Sequence, residues 1–82
     1  MEKKALVDAI STLIDIECLR KKTNKSKLSL QLGKNSRYLN NMFNKNESID
    51  ISVICEISIL LECEPNKLIP NLDFLKTLNW NL

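Results

Sequence analysis

Three cysteines are the residues of this chain with the most obvious potential for chemistry, through disulfide bonds or metal binding. Cys18, Cys55 and Cys63 leave one thiol unpaired in any disulfide arrangement, and the sequence has no histidine to complete a zinc site of the usual spacing. Free cysteine is among the most buried residue types. We therefore expect three small buried hydrophobic side chains in a reducing, cytoplasmic setting, and no metal.

The other residue types do not combine into a recognisable catalytic site. A histidine that could act as general acid or base is absent, and a single glycine excludes a glycine-rich phosphate loop. No pair of acids is expected to face a pocket. We therefore expect a protein that is not an enzyme and has no cofactor and no small-molecule substrate.

The clearest functional signal is the placement of the basic residues. The net charge is only +2, but residues 18 to 46 contain eight cations and no acid, whereas the rest of the chain has four cations against ten acids. The eight cations are Arg20, Lys21, Lys22, Lys25, Lys27, Lys34, Arg37 and Lys45. An acid-free basic segment favours a nucleic-acid backbone as partner, because phosphate neutralisation supplies most sequence-independent affinity. A basic face that only aids solubility is the alternative.

Helical periodicity organises the first part of the chain. Apolar residues recur at the helical period from residue 2 to about residue 22, which predicts a first helix. Thr23 or Asn24 can cap a short second helix, which ends at Gly33, where a positive φ lets the chain turn sharply. The apolar residues of the first helix are Leu6, Ala9, Ile10, Leu13, Ile14 and Ile16, and its stripe is widened by Val7 and Leu19.

A third and a fourth helix follow. Asn35 or Ser36 can cap a helix from residue 36 to about residue 45, with Leu39, Met42 and Phe43 pointing inward. Asp50 can cap a fourth helix. The spacing of the apolar residues that follow favours a helix, although their many β-branched side chains favour a strand. Its expected buried face is Ile51, Ile54, Cys55, Ile57, Ser58 and Leu61.

The end of the chain is less regular. Glu64 and Pro65 predict a short fifth helix that Pro70 stops. Residues 71–82 fit a helix or a strand equally well and either close the core or pair with a second subunit. The sequence as a whole predicts one all-α domain over residues 1–82, a compact bundle of about five short helices.

A pattern of apolar and small residues surrounds Gly33. If Gly33 is the ninth residue of a two-helix unit, apolar residues occupy the fourth, eighth, fifteenth and eighteenth places, and a small residue the fifth. These residues are Leu28, Leu32, Leu39 and Met42, with Ser29 at the fifth place. The pattern, which continues ungapped over about residues 23–68, resembles the phage-repressor type of helix-turn-helix family, which includes the lambda repressor and Cro proteins.

The resemblance implies a set of DNA contacts. In that family the second helix of the unit enters the major groove and the first lies across the backbone. The base-reading places fall on Ser36, Arg37, Asn40 and Asn41. The backbone-contacting places fall on Lys25, Ser26, Lys27, Asn35, Tyr38 and Lys45, and for Tyr38 packing on its own helix is an equal alternative. Arg37 can donate two hydrogen bonds to guanine, and an asparagine can pair with adenine.

These observations predict a cytoplasmic regulator of transcription that binds double-stranded DNA, most simply a repressor. Acids at Asp8, Asp15 and Glu17 interrupt any export signal, and no apolar stretch is long enough for a membrane helix. We expect a homodimer through the first helix or through residues 72–82, because one recognition helix covers few base pairs. The alternative is a protein-interaction module on the same scaffold, such as a phage inhibitor or an antitoxin-like subunit.

Overall fold

Four α-helices and a single-turn 3-10 helix form the regular structure of the computed structural model, which describes residues 3–45 and 49–71. The elements are α1 (Lys3–Arg20), α2 (Lys25–Gln31), α3 (Tyr38–Asn44), α4 (Ile51–Leu60) and the 3-10 helix (Pro65–Leu68). Within this part of the chain the prediction of an all-helical fold is confirmed. The predictions for the tail, residues 72–82, lie outside the described residues.

Two helices begin at side-chain caps that the sequence predicted. The Oδ1 atom of Asn24 accepts a hydrogen bond from the backbone N–H of Lys27 at 2.9 Å, ahead of α2. Asp50 does the same for Ser52 at 2.9 Å, ahead of α4, and this hydrogen bond lowers the pKa of the Asp50 carboxyl. Each cap satisfies an N–H group that has no partner inside its helix.

Three helices end in the same backbone motif, which needs one residue with positive φ. That residue is Lys22 after α1 (φ 56°), Gly33 after α2 (φ 80°) and Glu62 after α4 (φ 54°). After α2, the N–H of Lys34 donates to the carbonyl of Ser29 at 3.0 Å, which closes the Schellman pattern. The predicted turn at Gly33 is confirmed, whereas the other two helices end without a glycine.

The core lies where all five elements meet. The 3-10 helix packs against α1 and α4, and α2 packs against α3 and α4. The radius of gyration is 12.4 Å, close to the value of about 12 Å for a folded chain of this length. The core residues are Val7, Ile14, Cys18, Leu28, Leu39, Phe43, Ile54, Ile57, Leu61 and Leu68.

The structure corrects one helix boundary. The third helix begins at Tyr38, not at residue 36, because Ser36 and Arg37 form a turn before it. In that turn the side chain of Asn35 accepts the N–H of Arg37, so the chain becomes helical only after Arg37.

Several apolar residues expected in the core are exposed. Ile51 and Cys55 lie on the outer side of α4, and Ile16 lies on the outer side of α1, near the exposed Leu19, which was expected to widen the apolar stripe toward a second packing surface rather than to fill the core. The α4 sequence is apolar on most sides, so its spacing does not define which side faces the core. Of the three cysteines expected to be buried, Cys18 is buried, whereas Cys63 is half-buried and Cys55 is exposed.

None of the described helices is both long enough and apolar enough to cross a membrane.

Candidate functional site

The junction between α2 and α3 is held by a buried serine. The Ser29 hydroxyl donates to the carbonyl of Lys25 at 2.7 Å, within α2, and accepts the backbone N–H of Leu39 at 3.1 Å. Leu39 is the second residue of α3, so its N–H has no partner inside that helix. Ser29 therefore caps α3 from the neighbouring helix and fixes how α3 starts relative to α2.

The turn between the two helices is held by Asn35. Its Oδ1 atom accepts the N–H of Arg37 at 2.9 Å, and its backbone carbonyl accepts the N–H of Tyr38 at 3.1 Å. Arg37 precedes α3 directly and makes no side-chain cap of its own. The first two N–H groups of α3, those of Tyr38 and Leu39, and the N–H of Arg37 before them are thus satisfied by residues outside the helix.

The four predicted base-reading residues lie at the surface of the turn and of α3. Ser36, Arg37, Asn40 and Asn41 are all exposed, whereas Leu39 and Phe43 of the same segment are buried. Hydrogen bonds from these four side chains to other described residues are absent. We call these four residues the α3 surface.

Further basic and polar residues of α2, of the turn and of the end of α3 reach the protein surface. Lys27, Lys34 and Lys45 are exposed, and the ammonium of Lys34 lies 5.5 Å from the centre of the Tyr38 ring. Ser26 and Tyr38 are half-buried. Lys34, which is not among the predicted contact residues, is thus an exposed cation next to one of them.

A groove runs beside α3, between that helix and the start of α4. Its polar lining comes from Asn35, Tyr38, Asn41 and Lys45, and also includes the carboxylate of Asp50. Met42 and Val53 supply the apolar lining. Asn35 and Asn41 thus border one continuous recess, although one lies in the turn and the other in the helix.

Lys25 is the predicted contact that the structure places away from this surface. Lys25 is only 8% exposed, and its Nζ atom lies 3.1 Å from Oδ1 of Asp15 and donates to the hydroxyl of Ser11. The same ammonium lies 4.8 Å from the centre of the Phe43 ring. Lys25 therefore connects α1 to α2 and α3, and its charge is neutralised inside the protein rather than offered to a phosphate.

The cysteine beside this ion pair is not a reactive thiol. Burial raises the pKa of Cys18 to about 11, and the negative charge of Asp15 acts in the same direction. Burial also raises the pKa of Cys63. Both thiols are protonated at neutral pH, and only thiolates are strong nucleophiles or metal ligands. The described residues include no group of side chains that could hold a metal ion.

Comparison of the chain with protein-family models, with curated proteins and with solved structures found no match.

Proposed function

We propose that this protein binds double-stranded DNA in a sequence-dependent manner, with α2 and α3 acting as a helix-turn-helix and α3 lying in the major groove. The observation that carries the proposal is the α3 surface. It offers a guanidinium, a hydroxyl and two amides on a segment with no carboxylate, and Ser29 and Asn35 hold that segment in place. Free donors and acceptors on a backbone segment that is held at the start of a helix suit base edges in the major groove.

The residues divide into two roles. Arg37 donates to guanine O6 and N7, and Asn40 and Asn41 each offer both amide atoms to adenine N6 and N7, while Ser36 accepts either base. The remaining residues contact the phosphate backbone, which positions the protein without specifying sequence. This second group is Ser26, Lys27, Lys34, Asn35, Tyr38 and Lys45.

The active form is proposed to be a homodimer that represses transcription. One α3 surface covers a few base pairs, and two copies related by a two-fold axis double the site that is read. Leu19 is 81% exposed on α1, next to the half-exposed Ile16, and supplies apolar area for the contact. Leu19→Lys is expected to weaken self-association in sedimentation experiments.

Salt dependence of binding tests the proposal. Selection from a random DNA pool first supplies a preferred site, and its affinity is then measured over a range of salt concentrations. The logarithm of the binding constant should fall with the logarithm of salt concentration by about 0.9 per phosphate contacted. Lys27→Ala should reduce the magnitude of this slope by about 1 for each subunit bound to the DNA. Lys25→Met should leave the slope unchanged, because Lys25 is paired with Asp15 inside the protein.

A protein partner is the second candidate, and exposed apolar residues away from the α3 surface favour it. Ile59 is 73% exposed and borders an open recess between α2 and α4, together with Leu32 and Leu60. Exposed apolar groups that adjoin one another mark protein contacts. The absence of DNA binding at low salt would exclude the DNA-binding proposal and leave this candidate.

A further inference from the structure

We infer that Asn35 is a positioning residue for Arg37, and that its amide oxygen governs the preference for guanine while its amide nitrogen serves the DNA backbone. This inference rests on the proposed DNA-binding function. It assigns two separable roles to the two atoms of one amide, in place of the single backbone contact that the sequence predicts.

The oxygen is committed to the turn. Oδ1 of Asn35 accepts the N–H of Arg37 at 2.9 Å, and the carbonyl of Asn35 accepts the N–H of Tyr38 at 3.1 Å. Asparagine stabilises turns by this kind of local bond to the backbone two residues later. The hydrogen bonds to Asn35 therefore help to fix the backbone of Arg37, from which the side chain with the guanidinium extends.

The Arg37 backbone has one further bond, because its carbonyl accepts the N–H of Asn41 at 2.8 Å, but the guanidinium itself has no support of this kind. The Arg37 side chain is exposed and makes no hydrogen bond, ion pair or ring contact with any described residue, and the residue lies in the turn, outside α3. A bidentate bond to guanine requires the guanidinium fork to meet two acceptors at once. Because the side chain is unrestrained, the geometry of its backbone decides how well that fork is presented.

The nitrogen of Asn35 has a different use. Pairing with adenine requires the acceptor and the donor of one amide to face the base edge together, and the bond to the Arg37 N–H fixes the Asn35 oxygen toward the turn. Asn35 borders the groove with Tyr38 and Lys45, and its two N–H donors make no bond to a described residue, so they remain for an acceptor such as a phosphate oxygen. Asn40 and Asn41 keep both amide atoms free, so adenine preference belongs to them.

Two substitutions at Asn35 separate these roles. Asn35→Asp keeps the oxygen acceptor but removes the N–H donors and adds a negative charge, so it should weaken binding to every sequence and preserve the guanine preference. Asn35→Ala removes both atoms and should also lose most of the guanine preference, which a good bidentate pair sets at about 5- to 150-fold. The remote exposed Asn66→Ala is the matched control and should bind as the wild type does.

The measurement is the affinity for the selected site and for variants with each base pair exchanged, with circular dichroism to verify folding. In the double variant Asn35→Ala/Arg37→Ala, guanine preference should be no lower than in Arg37→Ala alone, because both changes remove the same contact. The inference is overturned if Asn35→Ala retains the wild-type preference or if Asn35→Asp loses it. If the wild type does not bind DNA, both the proposed function and this inference fail. If the wild type binds DNA and only the Asn35 variants depart from the expected results, the proposed function stands and this inference fails.

Discussion

Ser29 and Ser58 are both buried in helices, and each donates a hydrogen bond to a carbonyl of its own helix at 2.7 Å. Only Ser29 also accepts a bond from another element, the N–H of Leu39 at the start of α3. The α2–α3 junction is therefore held by a directional bond between helices. In α4, by contrast, the buried serine serves only its own helix, and contact with the rest of the core comes from apolar residues such as Ile57.

These two serines show that a small residue in a buried helix can have one of two roles. It can be a spacer, which only leaves room for a neighbouring element, or a joint, whose hydroxyl forms a hydrogen bond between two helices. Both serines are small residues at buried positions of their helices, and size alone would allow alanine at each. The hydroxyl is necessary only where its removal leaves a buried polar group without a partner. The free energy lost by burying an unpaired donor or acceptor is larger than the net free energy gained from one hydrogen bond.

The largest expected effect comes from replacing these two serines. Ser29→Ala should reduce the free energy of unfolding by about 1–3 kcal/mol, because the buried N–H of Leu39 loses its acceptor. Ser58→Ala should change it by less than about 1 kcal/mol, because the Cys55 carbonyl lies inside a helix and loses only an additional donor. Urea unfolding followed by circular dichroism measures both. Equal losses for the two variants would show that Ser29 is a spacer as well.

The same contrast explains which parts of the structure could be predicted. The caps at Asn24 and Asp50 and the turn at Gly33 depend on residues within a few positions of one another, and all three are observed. The roles of Ser29 and Lys25 depend on partners ten residues away, Leu39 and Asp15, which local patterns do not reveal.

Lysine is also one of the residue types that are rarely buried, which made a surface role the natural expectation for Lys25. The start of α3 lies two residues later than predicted for a related reason. Ser36 is a good helix cap in general, but the N–H groups that it would cap, those of Tyr38 and Leu39, are bonded to the Asn35 carbonyl and the Ser29 hydroxyl instead. The four residues of the α3 surface were predicted to lie together, and the structure places them so, but their contact with DNA remains a prediction.

The ion pair between Lys25 and Asp15 is the second polar joint of the α2–α3 region, and its two ends should respond unequally. The Asp15 side chain is 61% exposed, whereas that of Lys25 is almost fully buried. Asp15→Ala leaves a buried ammonium with Ser11 as its remaining partner and should cost about 1–2 kcal/mol. Lys25→Met leaves a carboxylate that water can solvate and keeps the packing on Phe43, so it should cost less than about 1 kcal/mol.

Urea unfolding of the two single variants and of the double variant tests this order. A larger loss for Lys25→Met than for Asp15→Ala would contradict the expected order. A coupling energy above about 1 kcal/mol between the two changes, obtained from the double variant, would mean that the attraction itself stabilises the junction. In that case the α2–α3 region would depend on charge as well as on directional hydrogen bonds.

The smallest effects concern the ends of α2 and α4, which share one backbone motif but differ in the residue at positive φ. Glu62→Gly should stabilise the protein by less than about 1 kcal/mol, because relief of left-handed strain exceeds the entropy that glycine loses on folding by only a small margin. Gly33→Ala should cost about 1 kcal/mol, because a Cβ there meets nothing within 4 Å and only the backbone conformation resists it.

Thermal unfolding of both variants compares the two turns directly. If Gly33→Ala costs several kcal/mol, the turn before α3 must require glycine for more than its φ angle. Gly33 would then belong with Ser29 and Asn35 among the residues that hold α3 in place. If the cost is small, the turn tolerates a side chain as the ends of α1 and α4 already do with Lys22 and Glu62, and the geometry of α3 depends on the polar bonds alone.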